Sequence, residues 1–341
     1  MPTSAIIHTA VFTAGALVGG GIAAAISSKR NASAAPQPPP PAKPVIEVDG
    51  GRAKVSNEVA VVSTQILPPA LRNGHPGPIS DLLVRRAYVA GYDRRLRHPS
   101  WTAEHITKAS LAPGSSADSG PVDRSKSAFI EDESIPSPFR AKLQDYFRSG
   151  YDRGHMVPAA DAKSSQEAMD ETFLLTNIAP QVGDGFNRHY WAYLEDWCRR
   201  LTNTFQDVYV FTVPLYLPKL DPDGKYRITH EVIGSPPNIS VPTHFAKVVL
   251  TSKPSSPSTP NIPELSLGAF VLPNAVIKDE APLEGFVVPV EAVEKAAGLT
   301  LFSDQIKSGA KHICKTTKCE VIVRRFDDAR KNTKAIATPK K

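Results

Sequence analysis

The 341-residue chain is long enough for one large domain with appendages or for two ordinary domains. A hydrophobic content of 41% with 22% charged residues is typical of a globular protein and excludes a wholly disordered chain, a collagen and a multi-span membrane protein. Three cysteines are too few for a disulfide scaffold. The net charge of +6 is concentrated after residue 310, in a tail that could contact nucleic acid or acidic lipid or could simply be solvated.

Residues 1–30 form an apolar segment with a basic end. Only His8 and two threonines interrupt the apolar run from residue 5 to residue 26, which is long enough to span a bilayer. The first acidic residue is Glu47, a composition typical of organelle-import sequences. Because no basic residue precedes the run, a retained anchor is favoured over a cleaved secretory signal. We predict a targeting or membrane-anchor helix here.

The rest of the chain divides into three predicted regions. Residues 31–58 are rich in proline near their start and should form an extended, semi-rigid linker. The pattern then becomes that of a folded domain, which we place at 59–330. Residues 331–341 form a basic tail.

The folded region shows the spacing of both strands and helices. Asn187 to Thr202 has Trp191, Leu194 and Leu201 at three- and four-residue steps, which predicts a helix with one buried stripe. Shorter helices are predicted at 136–147, 164–171 and 291–298. Runs of β-branched and aromatic residues predict strands at 83–92, 100–106, 208–213, 243–250 and 267–272, with a basic turn at 93–99 and a Ser/Pro loop at 252–263.

The residues best suited to chemistry begin at His155 and continue through Asn187, Glu195 and Arg199. A histidine near its ordinary pKa can take a proton from water, and an amide oxygen is a hard ligand that suits Mg²⁺. Arginines stabilise the charge that develops on a phosphorane. Glu195 follows Asn187 by two helical turns plus about 80°, so both side chains lie on one half of the helix. Together these residues suit phosphodiester hydrolysis.

Each of these residues also has a purely structural interpretation. Glu195 and Arg199 could be a surface ion pair worth about 0.3–0.5 kcal/mol. Asn187 could cap a helix. The stretch 152–154 could be a tight turn, and His155 could be a half-buried histidine with satisfied nitrogens. Singly, the structural interpretation is favoured for each residue; their combination favours catalysis.

Two strings carry a family resemblance: YDRGHMVPAADAKSSQEAMDETFLLTNIAPQ at 151–181 and GFNRHYWAYLEDWCRRL at 185–201. They closely resemble the DNA/RNA non-specific endonuclease family, in particular the mitochondrial endonuclease G branch of fungal type with its DRGH signature. Further similarity at 92–101, 242–250 and 269–274 extends the resemblance over roughly residues 60–330. It implies an α+β, ββα-metal nuclease fold with a central antiparallel sheet flanked by helices. It also implies a metal-dependent endonuclease that cuts DNA and RNA and leaves 5′-phosphate ends.

The resemblance assigns a role to each matching residue. His155 would be the general base, and Asn187 would hold a divalent metal, Mg²⁺ or alternatively Mn²⁺. Glu195 would position metal-bound water, and Asn177 would orient the site. The remaining assigned residues are arginines: Arg153 and Arg199 as phosphate contacts, Arg124 as a stabiliser of the transition state, and Arg94 and Arg95 as substrate contacts in the basic turn. Thr176 replaces the serine usual before Asn177, and the loop at 252–263 looks like an insertion.

Partners and location follow from the same resemblance, and two rival interpretations remain. The resemblance implies a homodimer anchored to the mitochondrial inner membrane and facing the intermembrane space. One rival is a membrane-tethered nucleic-acid-binding protein without catalysis, which the presence of the site residues disfavours. The other makes His312, Cys314 and Cys319 a zinc site or redox switch. Zinc takes four ligands, so unremarkable thiols are favoured.

Overall fold

The computed structural model describes residues 81–112, 114–116 and 120–323. The predicted anchor at 1–30, the linker at 31–58 and the tail at 331–341 lie outside the described residues, as do both ends of the predicted domain. Within the described ranges, no helix has the length and apolar character needed to cross a membrane.

The strands range from two-residue bridges to hairpin arms eleven residues long. In chain order they are β1 (Asp81–Val84), β2 (Tyr88–Asp93), β3 (His98–Ile106), β4 (Ser115–Ser116), β5 (Gly120–Pro121), β6 (Tyr151–His155), β7 (Ile178–Val182), β8 (Asp207–Leu215), β9 (Lys219–Leu220), β10 (Tyr226–Arg227), β11 (Val232–Ile233), β12 (Ile239–Ser240), β13 (His244–Pro254), β14 (Pro263–Pro273), β15 (Val287–Val288) and β16 (Lys311–His312).

The α-helices are short apart from one. They are α1 (Gln166–Glu171), α2 (Trp191–Leu201), α3 (Val290–Ala297), α4 (Asp304–Gly309) and α5 (Ile313–Thr316). A π-helical segment, Gly183–Tyr190, leads directly into α2. Short 3₁₀ turns lie at Arg124–Lys126, Ser137–Phe139, Leu143–Tyr146, Leu175–Asn177 and Leu283–Phe286.

The main sheet has the order β1-β2-β3-β8-β13-β14-β15, and β16 adds to β14. All its pairings are antiparallel except that between β14 and β16, so the predicted central antiparallel sheet is confirmed with one parallel addition. β13 is buried along most of its length because it lies between two layers. On one face Phe245 and Val249 pack with α2, and on the other Ala246 and Val248 pack with α3. Helices therefore flank the sheet, as predicted.

A separate strand–strand–helix unit crosses the α2 side of the molecule. β6 pairs antiparallel with β7, and His155 lies opposite Ile178. A Cβ on Gly154 would lie 2.2 Å from the side chain of Gln181, so only glycine lets the two strands approach. After β7 the chain turns at Gly185, whose φ of 74° favours glycine, and then enters the helix.

The structure confirms the strongest helix prediction and corrects one predicted strand and one weaker predicted helix. Trp191, Leu194 and Leu201 are all buried, as their spacing predicts. The predicted strand at 83–92 is instead a hairpin of β1 and β2, which the Arg85 N–H closes by donating to Tyr88 O. The predicted helix at 136–147 is two 3₁₀ turns, because Arg140 between them is extended.

The other predicted helices are confirmed. The segment at 164–171 corresponds to α1, whose first turn is capped by the Ser165 hydroxyl. The segment at 291–298 corresponds to α3, which ends at Gly298 in the left-handed conformation. The Ser/Pro loop is shorter than predicted, because β13 and β14 extend their pairing to Pro254 and Pro263.

Candidate active site

His155 ends β6 in an aromatic cradle and is 9% exposed. Its ring lies 5.3 Å from that of Phe129 and edge-on to Phe173 at 4.7 Å, measured between centroids. Burial, together with the nearby charge of Arg124, lowers the pKa of His155 to about 3, so the imidazole is neutral at physiological pH. Its Nε2 is buried and has no hydrogen-bond partner among the described residues. A buried nitrogen without a hydrogen bond lowers the stability of the fold, and a bound substrate or water can supply the missing hydrogen bond.

Two arginines lie over the same two rings. The Cζ of Arg153 is 4.4 Å from the centroid of Phe129, and that of Arg124 is 5.3 Å from the centroid of Phe173. Both arginines are exposed. Cation–π contact holds a guanidinium in place beside the His155 ring, and the planar fork of an arginine is suited to binding an anion. The cradle thus carries a neutral base flanked by two positive charges.

Asn187 is fixed by a residue of the strand that carries His155. Its Nδ2 donates to Asp152 Oδ2 at 3.0 Å, and Arg188 donates to both oxygens of Asp152 at 2.8 and 3.1 Å. These bonds outweigh burial and lower the pKa of Asp152. Gly183 leaves room for this pair, since a Cβ there would lie 2.8 Å from Asp152 Oδ1. Because the carboxylate only accepts, the amide oxygen of Asn187 must point away from it.

The structure links these parts of the site through shared elements. Asp152 and His155 are separated by three residues of strand, about 10 Å. Arg124 influences the pKa of both His155 and Glu195, so it lies within electrostatic range of both. Arg124 therefore lies near both His155 and Glu195, and Asn187 is tied through Asp152 to the strand that carries His155.

Asn177 is wholly buried and bonded only to backbone atoms. Its Nδ2 donates to Val157 O and Thr172 O, both at 2.9 Å, and its Oδ1 accepts from the Val157 N–H at 3.1 Å. Met156 N also donates to the Asn177 carbonyl at 2.9 Å. Asn177 therefore fixes the backbone immediately after His155.

Glu195 lies on α2 above a group of buried charges. Burial raises the pKa of Glu195 to about 7, against the opposing effects of Lys247 and Arg199. Arg199 Nη1 bonds Asp161 Oδ1 at 2.8 Å, and this side chain is only 17% exposed. The structure thus replaces the surface pair of Glu195 and Arg199 with a buried pair of Arg199 and Asp161. Arg199 therefore lies largely buried, in an ion pair with Asp161.

The two arginines of the basic turn lie apart from this cluster. Both Arg94 and Arg95 lie between β2 and β3. The guanidinium of Arg94 donates to both oxygens of Asp81 at 2.6 Å and stacks on Phe139, so it holds the hairpin. Arg95 is exposed, and its backbone N–H bonds Asp93. Of the described contacts, none joins either arginine to His155.

Comparison with known proteins identifies the family. Residues 68–307 match the family model described as DNA/RNA non-specific endonuclease. The chain belongs to this family. It is 49% identical over 273 residues to the "Mitochondrial nuclease" of Saccharomyces cerevisiae, covering 79% of this chain and 80% of the relative. It is 40% identical over 226 residues to "Endonuclease G, mitochondrial" of Homo sapiens, covering 66% and 70%.

A solved structure agrees with the fold. The match is to a chain of the "Crystal structure of the EndoG/EndoGI complex: Mechanism of EndoG inhibition", with a TM-score of 0.61 and 47% identity. It covers 70% of this chain and 91% of that chain. This non-specific endonuclease is therefore an enzyme, a hydrolase that acts on the phosphodiester bonds of DNA and RNA.

The donor set of the endonuclease fits a divalent cation that keeps most of its water. Among the described residues no group of three or more His, Cys, Asp or Glu side chains is arranged to hold a metal. The amide oxygen of Asn187, fixed through Asp152, is a single hard ligand. Mg²⁺ characteristically binds few protein ligands and retains several waters. The amide oxygen of Asn187 could therefore hold a hydrated divalent ion.

Two interpretations of the C-terminal cysteines are wrong: the zinc site and the favoured one, unremarkable thiols. Cys314 and Cys319 form a disulfide, so neither sulfur is a thiolate ligand, and neither is a free thiol. His312 Nδ1 instead accepts from the Cys314 N–H. The short spacing of the two cysteines was compatible with a disulfide, but two residues alone could not distinguish it from free thiols.

Proposed function

We propose that the endonuclease cleaves with His155 as its general base and with a divalent metal at Asn187, leaving 5′-phosphate and 3′-hydroxyl ends. The observation that supports it best is the neutral imidazole between two arginine-capped rings, whose buried Nε2 finds no partner within the part of the chain that the structure describes. The unit of β6, β7 and α2 that carries these residues corresponds to the ββα-metal fold. His155, in this account, removes a proton from water, which attacks phosphorus in line with the departing 3′ oxygen.

The low pKa of His155 in the free protein is compatible with this role. A base must be unprotonated before it acts, and an imidazole with a pKa of about 3 is unprotonated throughout the physiological range. Its basicity must then increase when substrate binds. A phosphate bound by Arg124 and Arg153 brings negative charge beside the ring, which favours the imidazolium and raises the pKa.

Arg124 and Arg153 are the groups that bind phosphate in this proposal. Their guanidiniums are exposed and held by the rings of Phe173 and Phe129. Charge-assisted hydrogen bonds from arginine to phosphate are strong, and the planar guanidinium can form two of them side by side. Such contacts read the backbone rather than the bases, which explains cleavage without sequence preference. Binding should therefore weaken steeply with added salt.

The metal and Glu195 complete the site. The family resemblance implies a divalent metal, Mg²⁺ or Mn²⁺, and Asn187 Oδ1 would be its protein ligand. When bound, such an ion neutralises charge on the leaving oxygen. Glu195, once ionised, accepts hydrogen bonds from water in the cleft. Asp152 holds the Asn187 amide in the orientation this requires.

Plasmid nicking by the purified full-length chain tests the proposal. Activity should require a divalent ion, disappear with EDTA and fall strongly in His155→Ala. The products should be sealed by DNA ligase without prior phosphorylation, since they carry 5′-phosphate. DNA binding without cleavage in the wild-type protein would support the tethered-binder alternative instead, and a wild-type rate in His155→Ala would refute the role of His155.

Location and assembly are part of the same proposal. The relatives from yeast and human are named mitochondrial, and residues 1–30 have the composition of an import or anchor segment. We place the enzyme in mitochondria, at the inner membrane facing the intermembrane space, as a homodimer. A C-terminally tagged full-length chain should be protease-protected in intact mitochondria and accessible after rupture of the outer membrane. Light scattering should give twice the monomer mass.

A further inference from the structure

Lys247 is a buried lysine that the catalytic proposal does not use. It lies on β13 and is 1% exposed. Its Nζ donates to Thr212 Oγ1 at 2.8 Å and lies 4.8 Å from the ring centroid of Trp191. Lysine is almost never fully buried without an ionic partner, because desolvating an ammonium group is costly. No salt bridge of Lys247 is present among the described residues, so its charge is not cancelled by a direct contact.

Lys247 belongs to a polar stripe that crosses three strands of the main sheet. It pairs with Thr212 across β13 and β8, and Thr212 pairs with Thr102 across β8 and β3. Glu104, two residues beyond Thr102, lies on the same face. Along β13 the neighbours of Lys247 on this face are Phe245 and Val249, which are part of the apolar core. The stripe is therefore an exception inside an otherwise apolar interface with α2.

The stripe faces one side of α2. Trp191, Glu195 and Arg199 are spaced four residues apart and so lie along one face of that helix. The Nζ of Lys247 lies against the ring of Trp191, the first of the three. Burial raises the pKa of Glu195, and the charge of Lys247 is the strongest of the effects that lower it.

Two other charged side chains near Glu195 have partners of their own. Arg199 bonds Asp161, and Arg124 lies over the ring of Phe173. Burial and the adjacent Asp161 raise the pKa of Glu104 well above its usual range. Glu195 lies one helical turn beyond Trp191, the ring that the Lys247 ammonium contacts.

We propose that Lys247 is a positioning residue for the nuclease reaction: its buried ammonium keeps the Glu195 carboxylate ionised at the pH at which the enzyme works. This inference rests on the proposed function, because it gives Glu195 a task that needs the carboxylate. It explains why a costly buried charge lies below the helix that carries Glu195.

The test is a titration of Glu195 in the full-length protein without metal. The ¹³Cδ resonance of Glu195 is assigned by its absence in Glu195→Gln and followed with pH in wild type and in Lys247→Met. We expect a midpoint near 7 in wild type and a midpoint higher by about one pH unit in Lys247→Met, since an opposite charge has been removed. The acid limb of the cleavage rate should move in the same direction. An unchanged midpoint, with activity lowered equally at every pH, would overturn the inference.

Controls separate this inference from folding and from the proposed function. Lys253→Met makes the same change on the same strand, where the lysine pairs with Glu264 near the surface, and should leave the Glu195 midpoint unchanged. If Lys247→Met folds poorly, Lys247→Met/Glu104→Gln removes a carboxyl from the stripe as well, and the upward shift should persist. The resonance titration needs no activity. Full activity of Glu195→Gln would thus refute the proposed role of Glu195, independently of the effect of Lys247 on its titration.

Discussion

Two buried histidines, His98 and His155, show how similar burial serves different purposes. His98 is fully buried, and both its ring nitrogens are bonded: Nδ1 lies 2.7 Å from the Pro99 carbonyl and Nε2 lies 2.6 Å from the Tyr216 hydroxyl. Because the carbonyl can only accept, Nδ1 carries the proton and Nε2 accepts from the tyrosine. His155 is almost as buried, but its Nε2 has no partner among the described residues.

Burial alone therefore does not distinguish the proposed general base from a structural histidine. It lowers the pKa of both, to about 4 for His98 and to about 3 for His155. The difference is in what surrounds each ring. Backbone and a tyrosine satisfy His98, whereas aromatic rings and arginines surround His155. A buried histidine that has an unpaired ring nitrogen and lies beside arginines is suited to contact an anionic substrate.

The largest predicted effect is the loss of activity in His155→Ala. Removing a general base typically costs between about 10² and 10⁴ in rate. Initial rates of plasmid nicking, corrected for the folded fraction measured by circular dichroism, check it. His98→Ala is the matched control, and per folded molecule it should cleave within about threefold of wild type. Equal losses in the two variants would remove the distinction between the histidines.

The second prediction concerns Asp152, which orients Asn187. Asp152→Asn removes the charge that fixes the amide and Arg188. Loss of such an outer partner typically lowers metal affinity by about 10- to 100-fold. The Mg²⁺ dependence of the rate should shift to higher concentration by that factor, and Mn²⁺ binding by calorimetry should weaken in parallel. Unchanged metal dependence would show that Asp152 does not support the metal ligand.

The third prediction gives His98 the opposite behaviour. His98→Ala leaves the Tyr216 hydroxyl without its acceptor and opens a cavity, which should cost about 1–3 kcal/mol of stability. Urea unfolding followed by tryptophan fluorescence measures this loss. A stability equal to that of wild type would mean that the two hydrogen bonds of His98 contribute nothing to the fold.

The last prediction concerns the pH dependence of stability. The pKa of His155 in the folded protein, about 3, lies below its value of about 6.5 in the unfolded chain. Between these values the unfolded state binds a proton that the native state does not, so stability falls as pH falls. The slope is about 1.4 kcal/mol per pH unit for one proton. His155→Leu should reduce the acid slope by about one proton, and an unchanged slope would contradict a buried neutral His155.

Local patterns predicted much of the fold and part of the site. The buried stripe of α2 follows from helical spacing, and the signature at 151–155 identified His155. The cradle could not be predicted, because Phe129 and Phe173 come from distant segments and meet His155 only in three dimensions. For the same reason the sequence suggested a pair between Glu195 and Arg199, since the competing partner Asp161 is 38 positions from Arg199.

Lys247 was missed for a related reason. In the sequence it is one polar residue within the apolar run of 244–250, and alternation along a strand cannot show that both faces are covered. Only the position of β13 between two helical layers makes it a buried charge. The hairpin of β1 and β2 was missed for the same kind of reason. Arg85 lies in its turn, and the partner of Arg85, Asp132, is far along the chain.

The central claim is that His155 and Asn187 act together on one phosphodiester bond. A double-mutant cycle measures this directly, with initial nicking rates for His155→Ala, Asn187→Ala and the double variant in saturating Mg²⁺. Residues that act as a unit are not additive, so the double variant should be about as slow as the slower single variant. A double loss equal to the product of the single losses would show two independent contributions and contradict a common site.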